Sequence, residues 1–152
     1  MKIVTLGNLI YEADKDDDVI KSNFARFNFK DESIDLILCT NLPELKNNEV
    51  IPFLEKARKA LKADGVIIIQ VPSAEYAAKK LFLNELTPEI LYMLYGSGNH
   101  PYHTCYTMKM LRTLVDTQGF VTFSAMDDII KMTSDQNVVQ IPVHTLRARK
   151  AA

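Results

Sequence analysis

The stretch that most constrains this chain is Val66-Ile67-Ile68-Ile69-Gln70-Val71, an almost unbroken apolar run closed by Pro72. β-Branched residues in series favour extended backbone, and a proline ends a ladder because it has no N–H to donate. A strand that is apolar on both faces must be covered on both, as inner strands of parallel sheets are. The preceding segment supplies a cover. From Asn48 to Lys62, Val50, Phe53, Leu54, Ala57, Ala60 and Leu61 recur at helical spacing with Lys and Glu between them, which predicts an amphipathic helix. Asn48 is its candidate N-cap and Asp64-Gly65 its stop. Upstream, Ile34-Asp35-Leu36-Ile37-Leu38-Cys39 has the same near-continuous apolar character. Strand, helix and strand from Ile34 to Val71 therefore form a βαβ unit, whose crossover is right-handed in nearly all proteins.

The remaining segments extend this pattern. Lys2 to Leu6 reads as a short strand stopped by Gly7-Asn8, and a second apolar piece, Leu9-Ile10-Tyr11, follows it. The cluster Asp14-Lys15-Asp16-Asp17-Asp18 reads as an exposed loop, because adjacent like charges repel and Asp favours turns. After Val19-Ile20, the segment Phe24-Ala25-Arg26-Phe27-Asn28-Phe29 is either an irregular strand or a loop packed on the core, its rings serving as anchors. Helices are predicted over Ala74 to Leu83, over Pro88 to Tyr95 with Thr87 as cap, and over Thr107 to Gln118 with Gly119 as stop. Phe120 to Phe123 and Val138 to Leu146 read as two last strands, joined through the polar Ser134-Asp135-Gln136-Asn137 as an antiparallel hairpin. The expected architecture is α/β, a mostly parallel Rossmann-like sheet flanked by helices with an antiparallel strand pair at the carboxyl end. Its 152 residues suit one domain, 1–152.

Charge excludes some functions. With 18 Lys plus Arg against 19 Asp plus Glu, no long-range field favours nucleic acid or anionic lipid. Cys39 and Cys105 form no CxxC pair, so neither a zinc site nor a disulfide framework is expected. No segment reaches the length of a membrane span and Lys2 to Leu6 is too short for a signal peptide's apolar region, which points to a cytoplasmic protein. HExxH, Walker and GxSxG motifs are absent from the sequence, which argues against metalloprotease, NTPase and serine hydrolase chemistry.

Several pieces resemble class I S-adenosylmethionine-dependent methyltransferases. Phe29-Lys30-Asp31-Glu32-Ser33-Ile34-Asp35-Leu36-Ile37 is similar to the family's F-x-D-x-S-F-D-x-I approach to its fourth strand. Ala60-Leu61-Lys62-Ala63-Asp64-Gly65-Val66 resembles the LKPGG turn into the fifth, Gly119-Phe120-Val121 the start of the sixth, and Leu146 to Lys150 the end of the seventh. The resemblance runs from about residue 19 to 150, in family order. It implies a reduced class I methyltransferase fold with S-adenosylmethionine as cofactor and a small-molecule or glycan-like methyl acceptor.

The family's cofactor site lies at a glycine-rich turn after the first strand, with an acid at the end of the second. Here the corresponding turn is Leu6-Gly7-Asn8, and Asp14 is the candidate acid. Residues 7 to 34 are too few for two strands and two helices, so at least one helix should be missing. At the end of the Ile34–Cys39 strand, Thr40-Asn41 occupy the place where open α/β sheets bind ligands, although both residue types also cap strands locally. The densest chemical cluster is the turn-rich stretch carrying Tyr95, His100, Tyr102, His103 and Tyr106. The same kind of loop in methyltransferase-like proteins lies over the acceptor, which makes His103 the candidate general base and Tyr95, His100, Tyr102 and Tyr106 candidate substrate contacts. Alternatively, these side chains tie a long loop to the sheet. His100 and His103 lack acidic partners nearby in sequence, so no metal is expected. His144, within a strand, reads as structural. Two readings stay open: an active methyltransferase, and a catalytically inactive relative serving as a binding or assembly subunit. In the second, a further copy of the chain covers the apolar surface that missing helices expose, giving a homo-oligomer.

Overall fold

The structure, a computed structural model, describes residues 1–7, 11–134 and 137–152 and, within these, all side chains but those of 132–134 and 137. Six strands, β1 (Lys2–Leu6), β2 (Asp18–Ser22), β3 (Ile34–Cys39), β4 (Leu61–Pro72), β5 (Phe120–Ser134) and β6 (Asn137–Lys150), form one sheet in the order β2-β1-β3-β4-β6-β5. The first four in that order are parallel, while β6 is antiparallel to both β4 and β5. A mostly parallel sheet with an antiparallel pair at its carboxyl end is the architecture expected from the sequence.

Helices α1 (Asn47–Ala60), α2 (Ala74–Phe82), α3 (Pro88–Tyr95) and α4 (Met108–Thr117) complete the fold. Ser73, Thr87 and Thr107 cap the last three, their hydroxyls accepting from the N–H groups of Tyr76, Ile90 and Met110, which satisfies donors a helix start leaves open. α1 differs in detail from the sequence reading. Its first turn is closed by the Lys46 N–H donating to Glu49 Oε1 at 3.0 Å rather than by an Asn48 cap. It also ends at Ala60, because Leu61 already pairs with Ile34 and residues 62–65 form a bulge before Val66 pairs with Leu36.

The main core joins Val4, Leu6, Ile37, Cys39, Ile67 and Ile69 of the sheet to Phe53, Leu54 and Ala57 of α1 and Leu111 and Val115 of α4. Phe27 packs edge-on against Phe53 at 5.3 Å between ring centres, so the segment 24–29 is a loop with one 3-10 turn (Phe24–Arg26) whose rings anchor it. Burying one such ring contributes about 2–3 kcal/mol. Among the described residues neither the β1–β2 nor the β2–β3 connection contains an α-helix, and the β2–β3 connection carries only the 3-10 turn.

The carboxyl hairpin is longer than its sequence suggests. β4 leaves the sheet at Pro72, opposite Val143, but β5 and β6 stay paired out to Ser134 and Asn137. They thus form a two-stranded arm, and α3 lies on one side of it through Ile90, Met93, Ile130, Val139 and Ile141. At the other end of the sheet the Met1 amino group lies 3.3 Å from Asp17 Oδ1, and the Lys150 ammonium donates to the Leu61 carbonyl at 3.2 Å. Among the described residues no helix is long and apolar enough to cross a membrane.

Candidate functional site

The parallel strands β1, β2 and β3 end side by side, with Leu6 in register with both Ser22 and Cys39. Gly7 follows at φ +101°, a conformation L side chains avoid. A Cβ there would lie 2.1 Å from Thr40 Oγ1, so the glycine is required by the close approach of Thr40. Thr40, 2% exposed, sends both its N–H and its hydroxyl to the Leu6 carbonyl, at 2.9 and 3.2 Å. The hydroxyl thereby stitches β3 to β1. Asn41, half-buried, keeps its amide at this edge, 3.8 Å from the Cys39 sulfur.

Burial pushes the Cys39 thiol up to about 12. A thiol so shielded stays protonated and is no nucleophile at neutral pH.

The aromatic and histidine loop docks directly beside this edge. Its first part is a tight return: Gly96 adopts φ +72°, and a Cβ there would meet the His100 carbonyl at 2.2 Å. The His100 ring lies 2.7 Å from Glu44 Oε1, the His103 N–H donates to the Pro43 carbonyl at 2.7 Å, and the Thr104 hydroxyl donates to Asn47 at 3.0 Å. All three anchors lie within a few residues of Thr40-Asn41. The loop then runs into the sheet, where Tyr106 bridges to Ser73 at the end of β4.

The individual side chains divide by environment. The His103 imidazole is exposed and the Tyr95 ring is 67% exposed. Tyr106 is buried in the main core, and burial pushes its phenol up to about 12. Tyr102 packs edge-on against Tyr92 at 5.8 Å, and burial, with a hydrogen bond to Tyr92, holds its phenol above the usual tyrosine range. Both phenols stay protonated at neutral pH, so they can pack or donate but not act as bases.

Not every candidate is brought here. Asp14 lies in a turn closed by the Asp17 N–H donating to its carbonyl at 3.1 Å, before β2 rather than after it. That turn is at the opposite edge of the sheet, beside Met1, so the Asp14 carboxylate is not placed at the strand ends. The residue at the end of β2 is Ser22, missed because Val19-Ile20 is too short a run to show where the strand stops. Asn8 lies outside the described residues.

A second constellation flanks the end of β4. His144 of β6 is 2% exposed, with Nδ1 2.6 Å from Asp127 Oδ1 and Nε2 against Glu75 Oε2. Glu75 also accepts the Met108 N–H. The imidazole thus ties α2 and the start of α4 to the β5–β6 hairpin and borders a cleft of about 480 Å³ with Ser73, Tyr76 and Met126. Its partners lie 69 and 17 residues away in sequence, counting from 144 to 75 and to 127, and no local motif joins them.

This strand order, with parallel β1 to β4 followed by the antiparallel β6 and β5, defines a class I methyltransferase-like fold. Solved structures of such enzymes superpose on the chain. A SAM-dependent methyltransferase of Methanosarcina mazei matches at 12% identity and TM-score 0.63, over 99% of this chain and 92% of its own. A SAM-dependent methyltransferase of Thermotoga maritima matches at 17% identity and TM-score 0.55, over 87% of this chain and 63% of its own. Burkholderia thailandensis 1,6-didemethyltoxoflavin-N1-methyltransferase, solved with 1,6-didemethyltoxoflavin and S-adenosylhomocysteine, matches at 12% identity and TM-score 0.57. The chain covers 52% of that enzyme's length. No family model matches the sequence, and no curated protein sequence matches it.

Proposed function

We propose that the chain is a methyltransferase that binds S-adenosylmethionine at the ends of β1, β2 and β3 and passes its methyl group to a small-molecule or glycan-like acceptor beneath the 95–106 loop. The observation that carries this reading is the docking of that loop, through Pro43, Glu44 and Asn47, onto the segment that follows Thr40-Asn41. The polar side chains at this edge fit a nucleoside in part. Asn41 is the proposed contact for its polar groups, whereas the Thr40 hydroxyl already donates to the Leu6 carbonyl and the Ser22 hydroxyl to the Asn23 carbonyl. When bound, the cofactor supplies an electrophilic methyl on a sulfonium. The protein then has to orient an acceptor in line and, where the acceptor is protonated, remove its proton. His103 is the proposed base, with Tyr95 and His100 at the rim and Tyr102 and Tyr106 forming the wall behind.

A second reading has its own support. The lack of an α-helix among the described residues on either side of β2 and the engagement of Thr40 favour an inactive relative acting as a binding or assembly subunit. Calorimetric titration with S-adenosylmethionine and S-adenosylhomocysteine, with thermal melts, separates the two. Saturation at a hundred times the dissociation constant adds about 2.7 kcal/mol to the stability. Binding followed by methyl transfer to an acceptor panel, lost in His103→Ala with affinity kept, supports the enzyme. If millimolar ligand gives no heat and no melting shift, the enzyme reading is overturned.

A further inference from the structure

Strand β5 ends the sheet: it pairs with β6 on one side, and among the described residues no strand pairs with its other side. Fifteen residues of open edge is long, and such edges template pairing with another chain unless covered or guarded. The direction of the open groups can be read from two observations. Ile129 lies opposite Pro142, which has no N–H to exchange, and the Ile129 N–H is instead taken by the side chain of its neighbour, Asp128 Oδ1, at 2.8 Å. The Ile129 N–H therefore faces outward, and with it those of residues 127 and 131, since backbone groups alternate along a strand.

Antiparallel pairing of this edge with itself requires outward residues to face outward residues. The register centred on Ile129 sets Ile129 against its own copy and Asp127 against Lys131 of the second chain, twice by symmetry. Centring one residue earlier would oppose Asp128 to itself, like charge on like. The chosen register is self-complementary, and it also brings together the Ile129 side chains, each 66% exposed in the single chain. Lys131 is exposed, and the Asp127 side chain is 80% exposed although it touches His144, so both are free to reach across.

We propose that the partner of this edge is a second copy of the chain, and that two β5 strands pair antiparallel about a two-fold axis at Ile129, joining both sheets into one. The Ile129 N–H then passes from Asp128 to the Ile129 carbonyl of the other copy, so Asp128 acts as a guard on the unpaired strand. The occupant is a like chain because the charge order along the edge, acid at 127 and base at 131, complements its own reversal.

Light scattering over a concentration series tests this. Wild type is expected to go from monomer to dimer with rising concentration. Lys131→Asp places two like-charge pairs across the axis and weakens the dimer about tenfold, and the exchanged variant Asp127→Lys with Lys131→Asp restores it. Because Asp127 also holds His144, a second measurement leaves that contact intact. Opposed Cα atoms in such a pair lie about 5.5 Å apart, within the span of a disulfide. In a Cys105→Ser background, Ile129→Cys should therefore cross-link to a covalent dimer with oxidised glutathione, while Met126→Cys should not. A chain that stays monomeric throughout, or a dimer indifferent to Lys131→Asp and lacking the Ile129→Cys cross-link, overturns the proposal.

Discussion

Gly7→Ala isolates what the turn after β1 is for. The new methyl would lie 2.1 Å from Thr40 Oγ1, at a backbone φ of +101°. Two costs add. Holding a non-glycine residue in that region costs roughly 1–3 kcal/mol, and displacing the Thr40 hydroxyl from the Leu6 carbonyl costs about 1 kcal/mol more. Gly7→Ala is thus expected to lose about 3 kcal/mol in urea unfolding at unchanged m-value. Thr40→Ala alone should lose about 1 kcal/mol, since the Leu6 carbonyl keeps the Thr40 N–H. In the Thr40→Ala background the clash with Oγ1 is gone and the nearest remaining neighbours of the methyl are the Cβ atoms of residues 40 and 41, at 3.3 and 3.4 Å, so Gly7→Ala there costs mainly its backbone strain, and the double-mutant cycle should show a coupling of about 1 kcal/mol. If Gly7→Ala stays within half a kcal/mol of wild type, or the two changes add without coupling, the argument that Thr40 requires this glycine is wrong.

His144→Ala removes a buried ring from between Glu75 and Asp127 and is expected to destabilise by about 2 kcal/mol, read as a lower midpoint in thermal melts. Unchanged stability would mean that the imidazole is not what ties α2 to the hairpin. At alkaline pH, Cys39 and Tyr106 both resist ionisation, with folded values of about 12 against ordinary values of 9.0 and 10.0. The unfolded chain therefore releases these protons first, so stability that is complete below pH 9.0 should fall as pH rises towards about 12. Urea midpoints followed across that window check this, and a flat profile refutes it.

The legible parts of the fold were those whose signal is local. Val66 to Val71 and Ile34 to Cys39 carry a two-sided apolar run, and α1 to α4 carry an apolar stripe with a capping residue or a stop beside it. The length of β5 was not legible. Asp127-Asp128 interrupts any alternation, and residues 124–134 are extended because β6 pairs with them, a tertiary cause that outweighs propensity. The end of β2 was hidden for a similar reason, since Asp18 belongs both to an acidic cluster and to a strand paired with Lys2. At the candidate site, Thr40, Asn41 and the loop from Tyr95 to Tyr106 stand out in sequence because turn residues, histidines and tyrosines are conspicuous there. Glu75, His144 and Asp127 do not, because three distant elements meet there. Asp14 drew notice as an acid after a strand, but parallel pairing of β1 with β2 sends the intervening turn back to the sheet's other edge.

The same edge receives both ends of the chain. Met1 sits beside Asp17, and Lys150 reaches Leu61 at the start of β4, while the loop from Tyr95 to Tyr106 closes the far side. A fusion partner or surface tether attached at either terminus would therefore emerge away from that loop, and a short linker between the two ends would permit circular permutation. The protein can be immobilised by its tail and still present its histidine- and tyrosine-bearing loop to solution.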